Sequence, residues 1–210
     1  MIDDVMLPAL EDDWGVRLTP VEYRREFPGR QWLVDGLDSW KLERAQEFTE
    51  LGFPSWEAFA AGDWDTAMRL YDELRPTLAG AADEGSRHQS VFHRVRIVSE
   101  PLTPYMLWEL YCFRVRVEHS EAIRVVQADQ VATLEAVGLL PELVALCGQT
   151  LYRVLYDERG VAAGAIRFTD PAIIAGHETL IRALYEIGED FRTYFDRVVA
   201  PLPVPRDLIP

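Results

Sequence analysis

The chain has 210 residues, with 21 Lys plus Arg against 35 Asp plus Glu and a formal charge of −14. Its 49% hydrophobic content supplies a packed core and excludes global disorder. The charge balance disfavours direct DNA or RNA binding and attachment to anionic membranes, and favours a basic partner or no macromolecular partner.

Residues 1–36 read as an N-terminal arm. Pro8, Gly15, Pro20, Pro28 and Gly29 are expected to interrupt any long element there. Its apolar residues, among them Trp14, Tyr23, Phe27 and Trp32, are too many for a free tail. The arm is expected to pack on the rest of the molecule or on a second copy of it. Met1-Ile2-Asp3-Asp4 has neither the basic nor the apolar region of a signal peptide, and no apolar run reaches membrane-spanning length. A cytoplasmic protein is the expectation.

Residues 37–200 read as a single α/β domain. Imperfect alternation over Trp40 to Phe48 predicts a strand. Pro54-Ser55 opens a short helix, with Ser55 as its N-cap, and Gly62 closes it. Asp63 caps a second helix to about Leu78, with Pro76 near its end and a loop over Ala79 to Ser90. Arg94-Val95-Arg96-Ile97-Val98 alternates basic and apolar and predicts a strand. Thr103-Pro104 is an N-cap followed by proline, so a helix should run to about Glu118. Ile123 to Val126 is a second strand, parallel to the first through a βαβ crossover.

A short helix over Val131 to Val137 comes next, then strands over Leu143 to Cys147 and Thr150 to Tyr156. Asp157-Glu158-Arg159-Gly160 turns a hairpin into Val161 to Phe168. Asp170-Pro171 starts a long helix to about Val199, broken near Gly188. Residues 201–210 form a Pro-rich tail. The fold class is α+β (or α/β): a mixed sheet with one βαβ unit, a C-terminal hairpin and a long helix.

Several runs carry a family resemblance: SWKLERAQEF from Ser39, PSWEAFAAGDWDTAMRLYDELR from Pro54, RVRIVSEPLTPYMLWELYCFRVRVEHSEAIRVV from Arg94, and LYRVLYDERGVAAGAIRFTDP from Leu151. Together, from about Ser39 to Phe195, the chain resembles the actinobacterial domain of unknown function 6879 family. That resemblance implies a regulatory setting near helix-turn-helix proteins and assigns no catalytic residue. The ending is also similar to phospholipase-D-like domains of bacterial regulators. The His-x-Lys-x4-Asp motif of active members is absent: Lys41 is the only lysine, and Ser39 stands two before it.

No motif implies a cofactor or a metal. The four histidines have no metal-ligand spacing, and His88 and His93 read as solvated. There is no Gly-x-Ser-x-Gly elbow and no phosphate-binding Gly loop. Cys112 and Cys147 sit in apolar runs and read as buried thiols.

Ligands of open α/β sheets bind beyond the carboxyl ends of parallel strands. That edge carries Glu100, Thr103 and Tyr105, with Trp108 and Glu109 a turn later. Arg94, Arg96 and Arg124 complete the candidate ligand-binding set, and Glu109 and Glu118 are the expected partners of the strand arginines. The leading functional expectation is a non-enzymatic regulatory protein acting with a DNA-binding partner such as a helix-turn-helix regulator. The alternatives are an enzyme or ligand-binding protein built on that set, and a homodimer exchanging its aromatic arm.

Overall fold

The computed structural model describes residues 8–205. Residues 1–7, which include the acidic start of the arm and the stretch judged for a signal peptide, and residues 206–210 of the tail lie outside the described residues.

The strands are β1 (Val16–Leu18), β2 (Ser39–Glu43), β3 (Phe92–Val98), β4 (Ala122–Gln127), β5 (Leu143–Leu146), β6 (Thr150–Tyr156), β7 (Ala162–Phe168) and β8 (Glu189–Asp190). They form one mixed sheet in the order β1-β7-β6-β5-β2-β3-β4-β8. The helices are α1 (Pro20–Gln31), α2 (Pro54–Ala60), α3 (Trp64–Asp72), α4 (Arg75–Arg87), α5 (Pro104–Glu118), α6 (Pro171–Ile187) and α7 (Phe191–Tyr194). The α+β expectation holds.

The centre of the sheet is parallel: β2 pairs with β3, and β3 with β4. The β3–α5–β4 crossover is the βαβ unit read from the sequence. Thr103 caps α5 by accepting from the Met106 N–H, with Pro104 at the first turn, as that motif requires. The hairpin β6–β7 is antiparallel, and its turn is tied by Asp157 Oδ1, which accepts from the N–H groups of Arg159 and Val161. Asp170 caps α6 through two backbone N–H groups, and the helix stops at Gly188.

Each face of the sheet has its own cover. Strand alternation sends Trp40, Leu42, Val95, Ile97 and Val126 to one face, where α6 buries them under Ile174, Leu180, Ile181 and Leu184. The opposite face has two separate covers. Tyr23 and Phe27 of α1 pack over Tyr152, Val144 and Ala165. Helices α2, α3, α5 and α7 pack together over β3 and β4 in an aromatic cluster that includes Phe59, Trp64, Trp108 and Phe191. Between those covers, at Lys41 of β2 and Phe92 of β3, the face is only partly covered.

Several local expectations are corrected. Pro20 does not interrupt a helix but begins α1, and Pro28-Gly29 lies inside it. A capping box of Thr19 and Glu22 fixes the start of α1, and the aromatic contacts of Tyr23 and Phe27 hold it down. Ser55 is not an N-cap. It lies in the first turn of α2, and its hydroxyl donates to the Ala67 carbonyl at 2.7 Å. The Asp63-capped helix ends at Asp72, and Pro76 then sits in the first turn of α4, which occupies most of the expected loop. The expected strand at Trp40 stops at Glu43, where Glu142 Oε1 accepts the N–H groups of Arg44 and Ala45. The helix expected over Val131 to Val137 is a 3-10 turn over Ala128–Val131.

Candidate functional site

The opening between the two helical covers is a crevice of about 610 Å³. Tyr23 and Phe27 of α1 form one wall, Ala82 and Gly85 of α4 and Arg116 of α5 the other. Phe92, Arg94, Val144 and Lys41 lie on the strands beneath. Deeper under α5, an inner cavity of about 300 Å³ is lined by Glu43, Glu50, Tyr71, Tyr105, Trp108 and Glu109, among others. Lys41, Arg94 and Arg116 line both spaces.

These three cations belong to one alternating chain of charges. Lys41 Nζ meets Glu43 Oε1 at 2.5 Å. The other Glu43 oxygen pairs with Arg94, whose Nε meets Glu121 Oε1 at 2.5 Å. Glu121 Oε2 then meets Arg116 at 3.2 Å. The order is Lys41–Glu43–Arg94–Glu121–Arg116. The three middle side chains are 6–11% exposed, the two ends 25% and 32%.

Burial alone would raise the Glu43 carboxyl, but Arg94, Lys41 and Arg96 hold it well below the usual carboxylate range. Glu121 is likewise lowered against its burial by Arg94 and Arg116.

A second pair lies beside this chain. Arg96, fully buried, donates from Nε to Glu109 Oε2 at 2.6 Å. Tyr105 Oη lies 3.3 Å from both Glu109 Oε1 and Glu50 Oε1. Burial raises the carboxyls of Glu109 and Glu50, opposed mainly by Arg96 and Lys41 respectively. Burial also pushes the Cys112 thiol well up, which leaves it a poor nucleophile. The Tyr71 hydroxyl is buried at the cavity wall without a hydrogen-bond partner, and its pKa is pushed up to about 12 by burial.

The candidate residues chosen from the sequence divide. Arg94, Tyr105, Trp108 and Glu109 line the inner cavity, and Arg96 lies behind its wall, paired with Glu109. Arg124 does not. Its register pairs it with Val95, so it projects to the α6 face, over Tyr185 at 4.7 Å and within reach of the Tyr185 and Gly188 carbonyls. Glu100 is exposed and accepts from Gln127 Nε2 at 2.9 Å, away from the cavity. Thr103 serves as a cap and donates to the Gln46 carbonyl.

Glu118 is not the partner of Arg94. It meets Arg75, and Glu121 and Glu43 take its expected place. The crevice opens at the amino ends of the parallel strands, where Phe92 and Glu121 lie, opposite to the expected edge. His93 is not solvated: it stacks on Trp40 at 4.0 Å and meets Asp38 at 3.0 Å. The site residues missed from the sequence are Lys41, Glu43, Glu50, Tyr71, Arg116 and Glu121. The one available signal was the solitary lysine on an alternating strand.

No helix among the described residues is long and apolar enough to cross a membrane. Comparison with curated proteins finds no match. The model of the family described as Domain of unknown function (DUF6879) matches residues 34–196, which span the sheet's parallel centre, α4, α5 and the chain of charges from Lys41 to Glu121 but not the α1 wall of the crevice, and the chain belongs to that family.

Proposed function

We propose that this protein binds a small organic molecule in the crevice and inner cavity beneath α5, and that its role is regulatory rather than catalytic. The observation that carries the reading is a cavity lined by buried ionised and aromatic side chains and continuous, through Lys41, Arg94 and Arg116, with a crevice of ligand size. Aromatic walls with a few convergent polar groups are the usual make-up of such sites.

The test is to purify the full chain from its native cells and analyse the released small molecules by mass spectrometry. A stoichiometric compound, lost from an Ala82→Trp variant that fills the crevice, supports the reading. An empty protein in which Ala82→Trp changes nothing would sink it.

A second reading, action through a DNA-binding protein partner, is favoured by a separate feature. Leu33, Val34 and Leu37 follow the crevice residue Trp32 and are exposed, as is Val91 at the crevice itself. Exposed apolar side chains beside a ligand mouth suit a partner that reads occupancy. A helix-turn-helix protein in the same purification would support this reading, and its release by Leu37→Glu would assign the surface.

A further inference from the structure

We propose that the ligand is a planar apolar molecule bearing an oxyanion, carboxylate or phosphate, and that the oxyanion bridges Lys41 and Arg116. The proposal rests on the ligand-binding reading above and deepens it.

The chain of charges begins and ends with a cation. Each carboxylate in it is shared by two cations: Glu43 by Lys41 and Arg94, Glu121 by Arg94 and Arg116. Neither carboxylate has an oxygen left without a cation. The ends are different. A lysine ammonium carries three donors and a guanidinium five. Lys41 and Arg116 each meet one carboxylate oxygen, and both remain partly open to the hollow. An oxyanion between them continues the alternation and takes the net charge of the group from +1 to zero or below.

The local charge also runs against the global one. The chain as a whole carries −14. The crevice lining holds Lys41, Arg94 and Arg116 against the single carboxylate Glu121, while Glu43, Glu50 and Glu109 lie in the inner cavity. The crevice end of the hollow therefore favours an anionic headgroup at short range, where low-dielectric walls concentrate the field. Tyr23, Phe27, Trp32 and Phe92 supply the flat apolar walls for the body of the ligand.

The experiment is calorimetric titration of the full chain with naphthalene-2-carboxylate, 2-naphthyl phosphate and the neutral naphthalene-2-carboxamide. At least one anion should bind about tenfold or more tightly than the amide, about 1.4 kcal/mol. Whichever anion binds more tightly identifies the headgroup. The preference should vanish in Lys41→Met and in Arg116→Met. Each variant leaves the shared carboxylate on Arg94, so the fold is retained, as circular dichroism would check.

Equal binding of all three probes, lost in Ala82→Trp, overturns the oxyanion seat but leaves the ligand-binding reading standing. Binding of none, or binding that ignores Ala82→Trp, overturns both.

Discussion

Arg96 on β3 and Glu109 on α5 form an ion pair at 2.6 Å in which the arginine has no exposed surface. The pair clamps the crossover helix to the central strand. Arg96 also donates to its neighbour's carbonyl at Ile97 and contacts Met106 Sδ, so its fork is occupied on several sides. Breaking a buried pair by removing one partner leaves a charge without water or counterion. Glu109→Ala should therefore destabilise the protein by about 3–5 kcal/mol. Glu109→Gln, which keeps an acceptor, should cost less. Urea denaturation of the two variants separates these outcomes.

The buried charges also set an acid limit. Glu43 and Glu121 have folded-state pKa values below their ordinary value of 4.5. The unfolded chain binds more protons than the native one as the pH falls through that value, so the stability from these groups is complete above it and lost below. The unfolding free energy should drop steeply from about pH 4.5 downward. Glu121→Gln should flatten that limb and lower stability at pH 7. Unchanged steepness in the variant would mean that other carboxylates govern acid unfolding.

Glu142 behaves in the opposite sense. Burial, then Glu43, raises its pKa to about 7, although Oε1 accepts the N–H groups of Arg44 and Ala45. Its Oε2 is buried without a partner. Between pH 4.5 and 7 the native state holds a proton that the unfolded state releases, so this group's contribution falls as the pH rises. Glu142→Gln keeps the acceptor and removes the titration. It should stabilise the protein at pH 8 by roughly 3 kcal/mol at most and leave stability at pH 4 unchanged. Thermal melts at the two pH values check this.

Gly164 ties the N-terminal segment to the sheet. It lies on β7 at φ +115°, and a Cβ there would fall 2.1 Å from the Leu18 carbonyl oxygen on β1. Neither the backbone conformation nor the space suits another residue. Gly164→Ala should destabilise by about 1–3 kcal/mol and loosen β1 and α1 together. Faster amide exchange over Val16–Leu18 than over β5 is the signature to measure.

Legibility of the fold in the sequence follows from which forces act locally. The β3–α5–β4 unit could be read because Arg94 to Val98 alternates and Thr103-Pro104 is a strong helix start. Helix α4 could not, because its Ala- and Gly-containing run has little apolar periodicity and only Gly85 is buried. Helix α1 was hidden by Pro28-Gly29, and its place depends on Tyr23 and Phe27 meeting Tyr152, far along the chain.

The site shows the same division. Arg96 and Glu109 are 13 residues apart across a strand and its following helix, and strand alternation exposes their need for each other. The Lys41–Glu43–Arg94 link needs β2 beside β3 in a register that sets Lys41 against Arg94. Two strands separated by three helices do not announce that register in the sequence.

The solitary lysine gives the hollow a chemical reporter. Every amine-reactive label on a side chain of this protein must be on Lys41. In the native state its ammonium is held by Glu43, and the side chain is 25% exposed at the crevice. A brief pulse of an N-hydroxysuccinimide ester should modify Lys41 more slowly in the folded protein than in guanidinium, as peptide masses would record. If an oxyanion seats on Lys41, naphthalene-2-carboxylate should slow native labelling further and the carboxamide should not. The Leu37→Glu variant, altered outside the crevice, should show the same protection. Protection by both probes alike would place the ligand over the apolar wall rather than on the charged end of the chain, because access would then be blocked without engagement of the amine.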